Sequence, residues 1–258
     1  MRLRKTILIM SLLLLPGAAN AQLALSAGLE YLDWEENVSP PVTEKGWLFT
    51  FGVGYTQERY EGLVLAYRGK LWLGSVDYTG ATLFTNLPIS GTTGYTGLTN
   101  EAQVRWRNPM QAGDYSLDLV AGLGIDVWQR ELSSVQREDY LVTYVRAGIA
   151  ADSAYEGTWM YAFGIKYPLW VGEDAHLDRI GFDTNPELNP AGKISLYTHV
   201  GYRLRDDWAI VGYVDGYRFG QSNQEQVNEV ANGYGPMTVY QPASDMLLIG
   251  IRLERSFP

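Results

Sequence analysis

The C-terminal segment 245–257 alternates strictly between two kinds of position. One set is apolar and ends in an aromatic residue: Leu247, Ile249, Ile251, Leu253 and Phe257. The other set ends in Arg252 and Glu254. Successive side chains of a β-strand point to opposite faces, so the pattern predicts a strand with one apolar face and one face that becomes charged. Such a strand suits a sheet that separates an apolar environment from a polar one.

Ten segments of the chain show strand-like alternation, and the gaps between them differ in length. The segments cover residues 22–34, 47–57, 61–73, 98–107, 115–129, 140–151, 157–168, 193–204, 208–219 and 243–257. The short gaps are 58–60, 108–114, 152–156 and 205–207, and the longer ones are 35–46, 74–97, 130–139, 169–192 and 220–242. Most segments reach the ~9–11 residues that a tilted strand needs to cross a bilayer, and short turns opposite long loops are typical of membrane barrels. We therefore predict an all-β fold, a ten-stranded antiparallel up-and-down transmembrane β-barrel, with eight or twelve strands as alternatives.

Aromatic side chains on the predicted outward faces cluster near the short turns. The set consists of Tyr55, Trp106, Tyr115, Trp159 and Tyr202. Trp208 is ambiguous, because neither face of segment 208–219 is cleanly apolar, and Tyr31 and Trp47 are expected at the opposite end. Amphipathic rings prefer the level of the lipid head groups, so this pattern predicts aromatic girdles at the membrane interfaces.

The N-terminus has the organisation of a secretory signal peptide. Arg2, Arg4 and Lys5 precede a short apolar stretch, and Ala19-Asn20-Ala21 is a small-x-small cleavage site. We expect residues 1–21 to be removed and residues 22–258 to form one outer-membrane barrel domain; an N-terminal membrane anchor is the alternative. The expected location is the outer membrane of a Gram-negative bacterium.

The apolar terminal strand with its final aromatic residue resembles the strand that the bacterial outer-membrane assembly machinery recognises. This resemblance implies that the machinery binds segment 245–257. The other expected partners are outer-membrane lipid and lipopolysaccharide around the barrel, and an unknown protein or small solute at the outer loops. The net charge of −9 argues against a nucleic-acid partner.

Many acidic residues fall in the predicted outer loops. They are Glu35, Glu36, Glu44, Glu138, Asp139, Glu173, Asp174, Asp178, Asp183, Glu187, Glu225 and Glu229. The favoured interpretation is a solvated rim of like charges, and the alternative is a surface for divalent cations or cationic ligands. Tyr78, Tyr95, Tyr234 and Tyr240 are candidate contact residues in the same loops.

The face opposite the apolar one is small or charged and is predicted to line the barrel interior. The charged candidates are Glu30, Arg68, Lys70, Glu101, Arg105, Asp118, Asp126, Arg146, Lys166, His199 and Arg252. Charges of both signs in a narrow barrel are expected to pair, because an unpaired buried charge is costly. In the hairpin 61–107, folding the predicted loop 74–97 about its midpoint places Lys70 opposite Glu101. A ten-stranded barrel is narrow, which favours a filled lumen over an open pore.

Few residues offer catalytic chemistry. The chain has no cysteine and two histidines, and it shows no phosphate loop, dinucleotide fingerprint or metal-ligand cluster, so we expect no cofactor and no metal. His176 follows Asp174 in one predicted outer loop, and Asp77 lies in another. Ten strands with these acids resemble the omptin family of surface proteases, which implies that Asp77, Asp174 and His176 activate water against peptides rich in basic residues. The family has a pair of aspartates in that second loop, and Ser75 stands two residues before Asp77 here.

Two functions remain open from the sequence. The favoured one is an integral outer-membrane barrel with a structural, binding or narrow-transport role and no evident catalysis. The alternative is an omptin-like outer-membrane endopeptidase that acts on basic peptides.

Overall fold

The protein is described by a computed structural model that covers residues 21–60, 62–82, 86–112, 115–152, 158–205 and 207–257. All of the expected signal peptide except Ala21 lies outside these ranges, as do parts of the turns at 113–114 and 153–157. Within these ranges, no helix combines the length and the hydropathy of a membrane span.

Strands make up most of the described chain. In chain order they are β1 (Ala21–Glu36), β2 (Val42–Tyr60), β3 (Leu63–Ala81), β4 (Pro88–Ala112), β5 (Tyr115–Glu131), β6 (Arg137–Asp152), β7 (Trp159–Asp174), β8 (Ala191–Lys193), β9 (Ser195–Arg205), β10 (Trp208–Gly220), β11 (Glu225–Glu229), β12 (Gly235–Val239) and β13 (Ser244–Phe257). A single turn of 3-10 helix, Leu177–Arg179, lies between β7 and β8.

Ten of these strands form one closed antiparallel barrel. Each pairs with the next along the wall from β1 through β7, then β9, β10 and β13, and β13 pairs back to β1. The short β8 extends the wall beside β10, and β11 and β12 form a separate hairpin. The predicted ten-stranded barrel is confirmed, and the terminal strand closes it as a paired strand on both edges.

The outward face carries an apolar band. On β2, β7 and β13 most of the apolar outward residues are exposed; Trp47, for example, is 59% exposed. Trp106 and Trp159 are also exposed near the turns, and Trp159 packs edge-on against Tyr202 with ring centroids 5.1 Å apart. The side chain of Tyr115 lies outside the described residues. A closed barrel that exposes such a band is suited to lipid, because each wall strand pairs its backbone with a neighbour on both edges.

The ambiguous ninth segment is resolved by burial. On β10, Tyr213, Tyr217 and Phe219 are buried and point into the barrel, while Ile210 and Arg218 are exposed. The alternation in sequence is hard to see because the inward residues are aromatic and two of the outward positions are glycines, Gly212 and Gly216.

Several strands run well past the membrane band, which overturns part of the predicted loop pattern. β3 has 19 residues and β4 has 25, so the predicted long loop 74–97 is wrong, and the connection is 82–87. The predicted loop 130–139 likewise shrinks to a turn at 132–136. The physical reason is that outward positions beyond the band are polar: Ser75, Asp77 and Thr79 follow Leu73 on the outer face of β3. The strand continues in water, where an apolar outward face is no longer needed.

The barrel therefore has two different ends. The turn end contains the short connections and the first and last residues of the described wall. The loop end contains the extended strand tips, the long connections 175–194 and 221–243, and the β11–β12 hairpin. A strand of 19 residues is roughly 60 Å long, more than the tilted crossing of a hydrocarbon core ~30 Å thick requires.

Candidate functional site

One buried cation holds together the loop-end half of the interior. The Arg130 side chain is 2% exposed, and its guanidinium lies 2.9 Å from Glu36, 2.9 Å from Glu44 and 2.6 Å from Glu138. Glu44 also accepts a hydrogen bond from Thr93 Oγ1 at 2.9 Å. The four groups belong to β1, β2, β5 and β6, so the cluster joins opposite parts of the wall across the lumen.

An aromatic layer lies beside this cluster and fills the lumen. Trp128 stacks on Tyr140 with ring centroids 4.8 Å apart and on Tyr217 at 5.9 Å, and Trp72 lies 6.3 Å from Trp128. Tyr217 continues the stack to Phe219 at 5.4 Å. These rings come from β3, β5, β6 and β10, so the layer crosses the barrel; we call it and the Arg130 cluster together the plug.

The predicted solvated acidic rim is wrong for four residues that line the lumen. Glu36, Glu44, Glu138 and Glu173 are buried, Glu44 with 0% of its surface exposed. They lie on inward positions of β1, β2, β6 and β7, because these strands extend into the predicted loops. Tyr95 is buried as well and donates its hydroxyl to Glu44, so it is not available as a loop contact residue.

Below the plug lies a network of ion pairs at the middle of the barrel. Lys70 Nζ lies 2.8 Å from Glu30, which also accepts a hydrogen bond of 2.8 Å from the Tyr213 hydroxyl. Asp215 lies 2.5 Å from both Arg146 and Lys166. Arg146 also lies 3.2 Å from Glu101, and Tyr217 donates a hydrogen bond to Asp126.

The predicted pairing of Lys70 with Glu101 is wrong. The register of β3 and β4 places Lys70 opposite Thr99 and Arg68 opposite Glu101, two residues away from the midpoint estimate. The shift follows from the connection at 82–87, which is not centred on the predicted loop. Lys70 instead reaches Glu30 on β1, across the adjacent strand β2.

The remaining interior candidates lie nearer the turn end. Asp118 lies 3.6 Å from Arg107, and Arg252 lies 3.3 Å from Glu254. Arg68 Nη1 lies 3.4 Å from His199 Nδ1, and the Arg105 Nε atom is buried. A cavity of about 260 Å³ occupies this part of the lumen. Residues at its outer margin, such as Gln22 and Ser256, belong to the turn end, and we call the cavity the vestibule.

The protease-like candidates are placed on the outer surface of the wall rather than facing one another across the lumen. Asp139 of β6 and Asp174 of β7 are register partners on the outward face, and His176 lies between them. Its Nε2 is 2.9 Å from Asp139, and its Nδ1 is 3.2 Å from Asp174. Arg137 donates hydrogen bonds from Nε and Nη2 to the two carboxylate oxygens of Asp139 at 2.8 and 2.6 Å, so this carboxylate is already engaged.

Asp77 does not join that cluster. It occupies an exposed outward position of β3, opposite Lys45 of β2 and Thr92 of β4. Two strands, β4 and β5, lie along the wall between Asp77 on β3 and Asp139 on β6. Among the described residues, no group of three or more acidic or histidine side chains is arranged to hold a metal ion.

The loop end is covered by a small folded lid made of the β11–β12 hairpin and the segment around the 3-10 turn. Leu177, Phe182 and Val227 form its buried apolar centre. Asp183 accepts hydrogen bonds from the backbone and side chain of Asn228 at 2.9 and 2.8 Å, and these bonds hold the pKa of the Asp183 carboxyl below its ordinary value. At the base of the lid, Gln241 approaches Glu36 of the plug at 3.4 Å.

Comparison with known proteins identifies the fold but no close relative. No family model matches the chain, and no curated protein matches it. Among solved structures, the outer membrane protease OmpT from Escherichia coli aligns with a TM-score of 0.56 and 12% identity, over 93% of this chain and 97% of that chain. The fold is that of a small outer-membrane β-barrel. At 12% identity the likeness concerns the fold alone.

Two other outer-membrane structures align over most of their length with lower similarity. Neisserial surface protein A (NspA) has a TM-score of 0.36 and 12% identity, over 92% of this chain and 97% of that chain. The transport unit of the autotransporter AIDA-I from Escherichia coli has a TM-score of 0.39 and 9% identity, over 98% and 94%.

Sequence reasoning missed the central residue of the plug. The predicted segment 115–129 stops before Arg130, because the apolar outward alternation of β5 ends at Val127, yet the inward alternation continues through Asp126, Trp128 and Arg130. A prediction based on the residues at inward positions, rather than on those at outward positions, includes Arg130 in the strand. The same rule places Trp34 and Glu36 of β1 inside, in phase with Glu30.

Proposed function

We propose that the protein is an integral outer-membrane barrel of a Gram-negative bacterium with a structural or binding role, and that its lumen does not conduct bulk solutes. The single observation that carries this proposal is the plug. Arg130 and the stacked rings of Trp128 and Tyr217 connect opposite walls in the part of the lumen where a channel would have to pass. The plug favours a structural or binding role over narrow transport.

The proposal predicts that the wild-type protein is electrically silent. In planar lipid bilayers we expect no large ohmic conductance steps from the refolded wild-type barrel. The double variant Trp72→Ala and Trp128→Ala removes two rings of the layer and is expected to produce steps. Trp47→Ala is the matched control, because it removes an equally large ring from the lipid-facing surface. Large steps from the wild type would contradict the closed lumen.

The loop end is the proposed recognition surface. Several large apolar side chains are exposed there, on three connections: Leu87, Val135, and Val230, Tyr234 and Tyr240. The lid that carries Val230 and Tyr234 has its own apolar centre, so these residues project from a folded support. Function is often carried by loops on a rigid scaffold, and an unknown protein or small solute outside the cell would bind here.

The proposed orientation places the loop end outside the cell and the turn end in the periplasm. Lipid and lipopolysaccharide would surround the apolar band, and the assembly machinery would bind β13 during insertion. These assignments follow the usual arrangement of bacterial outer-membrane barrels, which have short periplasmic turns. The exported precursor would lose residues 1–21.

The absence of cysteine allows a direct test of this orientation. Val230→Cys in the lid and Arg59→Cys at the turn end place single thiols at exposed positions of opposite ends. On intact cells, a membrane-impermeant maleimide is expected to label Val230→Cys and not Arg59→Cys, and cell lysis should make both reactive. Deletion of residues 257–258 from the Val230→Cys chain is expected to lower its surface labelling. Labelling of Arg59→Cys on intact cells would overturn the orientation.

Peptide hydrolysis is not part of this proposal. The omptin-like alternative needs Asp77 and His176 near one substrate, but they occupy outward positions on separate parts of the wall. Asp174 and Asp139 both contact His176, and both belong to the same outer surface.

A further inference from the structure

Two arginines of the vestibule differ from five other cations of the barrel interior. Lys70, Arg130, Arg146, Lys166 and Arg252 each have a carboxylate within 3.3 Å. Within the described part of the chain, neither Arg68 nor Arg105 has a carboxylate at ion-pair distance. Arg68 has one hydrogen bond, to His199, and the buried Nε atom of Arg105 has no hydrogen-bond partner there.

The carboxylate of Glu101, opposite Arg68, is already bound by other side chains. Glu101 is the register partner of Arg68 on β4. However, Glu101 lies 3.2 Å from Arg146, accepts a hydrogen bond of 2.9 Å from Tyr144, and is also bound by Gln103. Arg68 therefore lines the vestibule, and most of its N–H groups have no hydrogen-bond partner among the described residues.

Like charges accumulate around Arg68. Arg105 and Arg252 line the same cavity as Arg68, and their like charges repel its guanidinium. Glu254 lies in the vestibule too, but it is the partner of Arg252. Positive charges gathered in one cavity repel one another, and an anion bound among them relieves that repulsion.

His199 adds a neutral donor to this set. A guanidinium only donates hydrogen bonds, so the contact between Arg68 Nη1 and His199 Nδ1 requires Nδ1 to accept. In the neutral ring the proton then lies on Nε2, which can donate to a ligand.

We propose that the vestibule is a binding site for a small oxyanion, a phosphate or carboxylate group of a solute that enters from the turn end. Arg68 and Arg105 supply planar donor pairs that match the oxygens of such a group. Arg252 and His199 line the same cavity, whose volume of about 260 Å³ suits a small solute better than a drug-sized ligand. The site is separate from the plug, so this proposal and the closed-lumen function can fail independently.

Inorganic phosphate and succinate are suitable probes, one for each oxyanion group. Isothermal titration calorimetry of the refolded, detergent-solubilised barrel at low ionic strength is expected to show saturable binding of at least one of the two probes. The double variant Arg68→Gln and Arg105→Gln should weaken that binding on the order of tenfold or more, since it removes two charged donors. Arg218→Gln is the matched control, because Arg218 faces outward and pairs with Asp245 at 3.1 Å.

The folding of each variant is checked by gel electrophoresis, by comparing the migration of unheated and heated samples. If the double variant does not fold, Arg68→Lys serves in its place, because it keeps the charge but loses the planar fork; it should weaken binding by a smaller factor. Saturable binding that falls in the arginine variants and not in Arg218→Gln supports the site. Absence of saturable binding of both probes, or equal affinity in wild type and arginine variants, overturns it.

Discussion

The two halves of the lumen contain the same types of charged residue, but they differ in how far each positive charge is paired with a carboxylate. In the loop-end half, Arg130 is surrounded by three buried carboxylates. In the turn-end half, Arg68 and Arg105 lack such partners among the described residues, although both halves are lined by inward positions of the same antiparallel wall.

The size of the neighbouring side chains accounts for this difference. Tryptophan and tyrosine rings fill the loop-end half, so charges there have little access to water and must pair with one another. Small residues such as Ala24, Ser26, Gly52 and Gly54 line the turn-end half and leave a cavity. Water and ions can reach charges in that cavity. Charged residues therefore contribute to structure in the loop-end half of the lumen and are available for binding in the turn-end half.

The largest effect is expected from Arg130→Met. This change keeps much of the side-chain volume but leaves Glu36, Glu44 and Glu138 buried without their common cation. Removing one partner of a buried ion pair typically costs ~3–5 kcal/mol of unfolding free energy. Denaturant titration of the refolded barrel, followed by tryptophan fluorescence, measures the loss.

Arg68→Met is the matched change in the other half of the lumen. No carboxylate at ion-pair distance is left behind among the described residues, so we expect unfolding free energy within about 1 kcal/mol of the wild type, with either sign. Equal destabilisation by Arg130→Met and Arg68→Met would break the distinction between the two halves.

Most of the fold could be predicted from local alternation. The apolar outward phase of β2, β7 and β13 is visible in sequence because lipid requires it at every second position. It stops being visible where β3 passes Leu73 and enters water, so strand length and the connection at 82–87 could not be predicted. β10 was obscured for a related reason, since its inward residues Tyr213, Tyr217 and Phe219 are as apolar as its outward ones.

The interior contacts were less predictable than the wall. Each pairing depends on register and on contacts across the lumen, and a shift of two residues was enough to misassign Lys70. Within the described residues, the lack of carboxylate partners around Arg68 and Arg105 is likewise a property of three-dimensional placement. Glu101 is adjacent to Arg68 on the ladder, but Arg146 and Tyr144, two strands away on β6, take up its oxygens.

A smaller effect is expected from glycine substitutions that compare the same two halves. A Cβ atom at Gly97 would overlap the indole ring of Trp72, whereas one at Gly54 would lie 3.4 Å from Ala24 Cβ, close to ordinary contact. Trp72 is buried within the aromatic layer and cannot move without disturbing Trp128. Gly97→Ala should therefore cost ~1–3 kcal/mol, as overpacking of a filled core does.

Gly54→Ala should leave the unfolding free energy unchanged or raise it by up to ~0.5–1 kcal/mol, because glycine in a strand has more conformational freedom to lose than alanine. The two variants share the same chemical change and differ only in which half of the lumen receives the methyl group. The same denaturant titration compares them. A cost at Gly54 as large as that at Gly97 would mean that the vestibule is packed as tightly as the plug, which would leave no room there for a bound anion.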